Sequence, residues 1–183
     1  MNKLYILVLF FTVLGKSGNC ENNNEPVDGA IGIITTTSDY HYGDIITVFE
    51  EDKKHSTNTV ITEEYQVFAM KCLSQDKIYY KVIQDNGKTG FIKKDNSKIQ
   101  FETWEEHILN LFSVGFEIKT NPLLKDPILT SEKIALNPDE FYHPSKIQGD
   151  WLQVKWGNEG SWNYGWIKWK EKNKLLIELF YFA

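Results

Sequence analysis

The chain has 183 residues, of which 42% are apolar and 25% charged. That balance suits one or two folded domains and excludes a disordered or low-complexity polypeptide. The formal charge is −5 and every basic residue is a lysine, so the chain lacks the electrostatic footprint that nucleic-acid binding requires.

In chain order, the first feature runs from Met1 to Cys20. Lys3 precedes an apolar run from Leu4 to Leu14, and the small residues Gly15, Ser17 and Gly18 follow. This is the three-part layout of a secretory signal, spanning 1–20. The apolar run falls short of the roughly 20 residues a membrane-spanning helix needs. Cys20 at its end, followed by Glu21-Asn22-Asn23-Asn24-Glu25, resembles the lipidation site of bacterial lipoproteins, in which the cysteine becomes the acylated first residue. Ser17, Asn19 and Lys16 depart from that pattern, so ordinary cleavage and release stands beside lipidation as an expectation. Loss of Lys3 and Lys16 with the leader takes the 20 basic residues to 18 against 25 acidic ones, a formal charge of −7.

A polar spacer, 21–30, leads to Ile31 to Thr36 and Asp44 to Glu50, both rich in β-branched residues and separated by turn-forming Ser38-Asp39 and Gly43-Asp44. These read as strands. Val67 to Leu73 and Ile78 to Ile83 follow, then the hairpin signal Asp85-Asn86-Gly87 and the strand Gly90-Phe91-Ile92. Cys72 lies inside a strand and reads as a small buried hydrophobe rather than a nucleophile. Next, Thr103-Trp104-Glu105-Glu106 has the form of a capping box, and Trp104, Ile108, Leu111 and Phe112 fall on one helical face. A short amphipathic helix ending before Gly115 is therefore expected within 101–115.

The grammar of the first half then returns. Tyr79-Tyr80-Lys81-Val82 matches Trp151-Leu152-Gln153-Val154, and Gly90-Phe91-Ile92 matches Gly165-Trp166-Ile167. Upstream, Ile46-Thr47-Val48 is placed like Phe116-Glu117-Ile118. An internal duplication follows, with units at 31–100 and 116–183. The apolar Leu175 to Phe182 closes the second unit as a terminal strand or docked tail.

Gly149-Asp150-Trp151-Leu152-Gln153-Val154 followed by Gly165-Trp166-Ile167 resembles the bacterial SH3-like domain, in which a strand carrying an aromatic residue and a valine precedes a hairpin and a Gly-Trp-Val type strand. The second unit carries the likeness better than the first, where Tyr79 and Phe91 replace tryptophans. The resemblance implies a mainly β fold: two small, strongly bent SH3-like β-barrel repeats joined by the helix, often used to hold cell-wall material or a partner protein.

No constellation for catalysis stands out. The histidines His41, His55, His107 and His143 lack an evident partner. Glu140 and His143 have the spacing of two metal ligands on a helical turn, but Pro138 and Pro144 flank them and the stretch reads as a loop. Glu50-Glu51-Asp52 and Glu105-Glu106 read as solvated acids rather than the carboxylate pair of a glycosidase. No enzyme, metal or cofactor is expected. Tryptophan placement is the unusual feature, because Trp151, Trp156, Trp162, Trp166 and Trp169 crowd the second unit. Alternation puts indole on both faces of its hairpin. An exposed aromatic patch follows, with Trp151 and Trp166 as the floor of a groove, Trp162 and Tyr164 at its rim, and Lys155 and Lys168 beside it. The expected function is a non-catalytic extracytoplasmic module, in the periplasm or outer envelope, that binds cell-wall glycan or peptide or a partner protein. It would touch a membrane only through a lipid on Cys20. The alternative is an acidic periplasmic inhibitor or immunity protein of a hydrolase, for which the negative charge speaks.

Overall fold

The computed structural model describes residues 26–60, 67–84 and 86–182. The signal segment, Cys20 and the first five residues of the polar spacer lie outside the described residues. Among the described residues the fold is mainly β, with fourteen strands and one helix. The first half supplies β1 (Gly32–Thr36), β2 (Ile45–Phe49), β3 (Ser56–Val60), β4 (Ala69–Gln75), β5 (Tyr79–Ile83), β6 (Thr89–Lys93) and β7 (Ile99–Glu102). They form one sheet in the order β3-β2-β6-β5-β4-β1-β7. The helix α1 (Trp104–Leu109) follows β7 at once. The second half supplies β8 (Ser113–Phe116), β9 (His143–Gln148), β10 (Trp151–Asn158), β11 (Ser161–Lys168), β12 (Lys170–Glu171), β13 (Lys174–Leu175) and β14 (Ile177–Phe180). There, β11-β10-β9 make a three-stranded sheet, while β12-β13 and β14-β8 are two-stranded.

The expected closed barrels are replaced by open sheets. In the first half β2 meets β6 at the single pair Phe49 and Phe91, and β3 and β7 remain as edges. Alternation along the strands still sorts core from surface. Ile46, Val48, Met70, Cys72, Val82 and Ile92 point into a first core with Ile34, Phe68 and Ile99. A second core gathers Leu123, Tyr142, Leu152, Val154, Trp156, Ile167, Trp169 and Ile177. Trp104 and Ile108 of the helix and Leu111 just beyond it belong to this second core, as do Val27, Ala30 and Ile33 from the start of the described chain. Trp104 Nε1 donates to the Ala30 carbonyl at 2.9 Å, so the helix ties the N-terminal segment to the second half.

Pairing registers recur between the halves. In the first hairpin Tyr79 pairs Lys93, Tyr80 pairs Ile92, Lys81 pairs Phe91 and Val82 pairs Gly90. In the second, Trp151 pairs Lys168, Leu152 pairs Ile167, Gln153 pairs Trp166 and Val154 pairs Gly165. The strand before each hairpin is bulged at the same place: Cys72 pairs Val82 and Ser74 pairs Lys81, skipping Leu73, while Pro144 pairs Val154 and Lys146 pairs Gln153, skipping Ser145. Each bulge leaves one residue unpaired and sharpens the local bend. Phe49 meets Phe91 as Leu124 meets Trp166. The expected upstream match with Phe116-Glu117-Ile118 does not recur in the pairing, because Phe116 lies in β8 and pairs Ile177 of β14. Both glycines of the recurring motif are required by close approach: a Cβ on Gly90 would lie 2.5 Å from Val48, and one on Gly165 would lie 2.8 Å from Leu123.

Candidate functional site

In an antiparallel ladder, paired residues point to the same side and neighbours along a strand to opposite sides. Leu152, Val154 and Trp156 therefore face the core, where each is buried. Trp151, Gln153 and Lys155 face outward with Lys168, Trp166 and Tyr164, their partners on β11. The register of β9 extends these rows by a strand, placing His143 beside Lys155, Lys146 beside Gln153 and Gln148 beside Trp151. His143, Lys155 and Tyr164 thus form a row across three strands, and Trp162 follows on the same face opposite Gly157.

Trp162 is half-buried rather than fully exposed. The turn of the hairpin is confined to Glu159 and Gly160, the latter with φ of +91°, so Trp162 is a strand residue with neighbours. Lys155 Nζ lies 4.8 Å from its ring centroid, within cation–π range. His143 meets its ring edge-on at 5.9 Å. From His143 the aromatic run continues to Phe112 at 5.0 Å, and Phe112 to Phe141 at 5.2 Å. Phe141 and Tyr164 are about half exposed. The His143 ring is oriented by its Nδ1–H, which donates to the Phe112 carbonyl.

The expected groove floor differs. Trp166 is buried, and Leu124 exchanges two main-chain hydrogen bonds with it, at 2.7 and 2.8 Å, which lays the segment at Leu124 alongside β11. Trp151 is half-buried, with Lys168 Nζ 6.0 Å from its ring, and Lys168 also pairs with Glu171 at 3.2 Å. The open part of the face is therefore the row of His143, Lys155 and Tyr164 with Trp162, extended by Phe112 and Phe141. His143, Lys146, Phe112 and Phe141 were missed by sequence reasoning. Only the register of β9 brings the first two onto this face, and Pro144 concealed that strand.

Other sequence candidates are placed elsewhere. Glu51 accepts hydrogen bonds from Thr89 at 2.9 Å and Lys81 at 3.2 Å, which hold its carboxyl below the usual range. Asp52 accepts from the amides of Lys54 and His55 and is lowered to about 2. Glu140 lines a cleft beside β8, and His143 Nδ1 is engaged with the Phe112 carbonyl. Among the described residues no group of three or more His, Cys, Asp or Glu is arranged to hold a metal, and no helix is long and apolar enough to cross a membrane. No family model, curated protein or solved structure matches the chain.

Proposed function

We propose that the chain is a non-catalytic binding module of the bacterial envelope, exported behind the segment 1–20 and built from two SH3-like units joined by α1. The two-unit reading is supported by the recurring hairpin register, the shared bulge and the matching bridges from Phe49 and Leu124. The binding reading rests on one observation: the row of His143, Lys155 and Tyr164 with Trp162 on an outward sheet face. Aromatic rings with polar tips stack on the apolar faces of sugars, and lysines receive carboxylates. Cell-wall glycan with its acidic peptide offers both chemistries on one polymer. The same face would serve a partner protein through its aromatic centre.

Co-sedimentation with purified peptidoglycan sacculi tests this. The intact protein should pellet with sacculi, and Trp162→Ala should weaken retention by about tenfold or more, as loss of a central aromatic contact does. Equal retention of the variant would defeat the assignment of the site. A soluble complex with a basic hydrolase, without retention on sacculi, would instead favour the inhibitor reading that the negative charge supports.

A further inference from the structure

The chain carries more acidic than basic residues, 25 against 20, yet the outward face of β9, β10 and β11 has the opposite balance. Its outward positions hold no Asp or Glu, and their charged groups are Lys146, Lys155 and Lys168. Lys168 is paired with Glu171 at 3.2 Å. Lys146 and Lys155 are in no ion pair among the described residues. Lys146 is exposed, and the Lys155 ammonium lies against the Trp162 ring. An ammonium held over an indole keeps its hydrogens for an anion.

His143 adds a third group to this face. It neighbours Lys155 across the ladder, it is half-buried, and its ring meets Trp162 edge-on. The Phe112 carbonyl only accepts, so Nδ1 carries the hydrogen that binds it. Nε2 makes no hydrogen bond among the described residues and is not enclosed. It is therefore an acceptor while the ring is neutral and a charged donor once the ring is protonated. The charged or titratable groups around His143 are Lys155 on β10, Tyr164 on β11, Lys146 further along β9 and Glu140 in the preceding loop. A proton on His143 places a second positive charge beside Lys155, and a bound carboxylate relieves that repulsion.

We propose that this site selects a carboxylate-bearing sugar over a neutral one, Lys155 and Lys146 receiving the carboxylate and Trp162 the apolar side of the ring, and that protonation of His143 tightens the binding. The proposal rests on the reading of this face as a glycan site and adds the charge of the ligand. Its sign follows from linkage: the protonated histidine binds the anion more tightly, so affinity rises as pH falls, down to where the carboxylate itself is neutralised.

The probes are N-acetylmuramic acid and N-acetylglucosamine, the same sugar ring with and without a carboxylate. Each is titrated into the ¹⁵N-labelled full chain at about pH 8 and about pH 5, either side of the range in which histidine changes charge, and read at the Trp162 indole. The acidic sugar should bind more tightly at the higher pH. It should gain about fivefold more at the lower one, the effect of one unit charge a few ångströms from a carboxylate in water. The neutral sugar should show no such gain. His143→Asn, whose amide can still donate to the Phe112 carbonyl, should keep the preference and lose the gain, and Lys155→Gln should remove most of the preference. Equal affinity for the two sugars would overturn the proposal, as would a gain on acidification that survives in His143→Asn, or no shift with either sugar up to its solubility. The comparison of sugars and pH values on the unaltered chain decides even where a variant is unstable. Equal binding of both sugars at Trp162 would leave the glycan face standing without its charge preference, and sacculus retention tests that face separately.

Discussion

Cys72 shows how burial decides the chemistry of a single side chain. It is fully buried in β4, its Sγ–H donates to the Ser74 carbonyl at 3.3 Å, and burial pushes the thiol up to about 11. The thiolate, which is the reactive form, is therefore scarce at neutral pH. In a Cys20→Ser background, a thiol reagent at pH 8 should leave the folded protein unlabelled and label it stoichiometrically in denaturant. Fast labelling of the folded protein would contradict the assignment. The tryptophans divide the same way. Trp169 has no exposed surface and donates through Nε1 to the Gly149 carbonyl at 2.9 Å, so Trp169→Ala should cost about 3–5 kcal/mol in urea denaturation. Trp151, expected from the sequence at the floor of the groove, is half-buried and should cost clearly less when replaced by Ala. Period-2 alternation reveals that Trp151 and Trp166 share a face. It cannot reveal that Leu124, from outside the hairpin, pairs its main chain with Trp166.

At the scale of elements, local signals were legible and distant pairings were not. The box at Thr103 is formed as its residues suggest: Thr103 Oγ1 accepts from the Glu106 amide at 3.2 Å, and Glu106 Oε2 accepts from the Thr103 amide at 2.9 Å. Thr103→Ala should therefore cost about 1 kcal/mol, measured by the urea midpoint at unchanged slope. The helix is shorter than its apolar spacing suggests. It ends at Asn110, and Ser113–Phe116 leaves as a strand because β14 supplies the partner for it. Three strands had no strong local signal. Ser56–Val60 is polar, Ile99–Glu102 is short, and His143–Gln148 contains Pro144. That proline is tolerated because β9 is an edge strand and Pro144 sits where the ladder is bulged, the two settings that spare a missing amide hydrogen.

Across the whole molecule, the two hairpins with matching registers were legible because both contain the same glycine and aromatic pair. The upstream correspondence was misplaced for a physical reason. The segment at Leu123-Leu124 makes only bridges, and nothing in its composition distinguishes it from the loop around it, whereas Phe116-Glu117-Ile118 carries a strand-like pattern. The halves are also not independent bodies. Val27, Ala30 and Ile33 enter the second core with Trp104 and Ile108, and the Asp28 amide donates to the Asn173 carbonyl at 2.7 Å, so the beginning of the described chain is bound to the far hairpin. This packing holds the outward face of β9, β10 and β11 on a rigid support, which is what a shallow aromatic site requires of its scaffold. The most direct measurement of that site is an NMR titration of ¹⁵N-labelled protein with soluble peptidoglycan fragments. Saturating shifts confined to the Trp162 indole and the amides of His143, Lys155 and Tyr164 are expected, with the Trp169 indole unmoved. Shifts centred on the first half, or none at millimolar fragment, would contradict it.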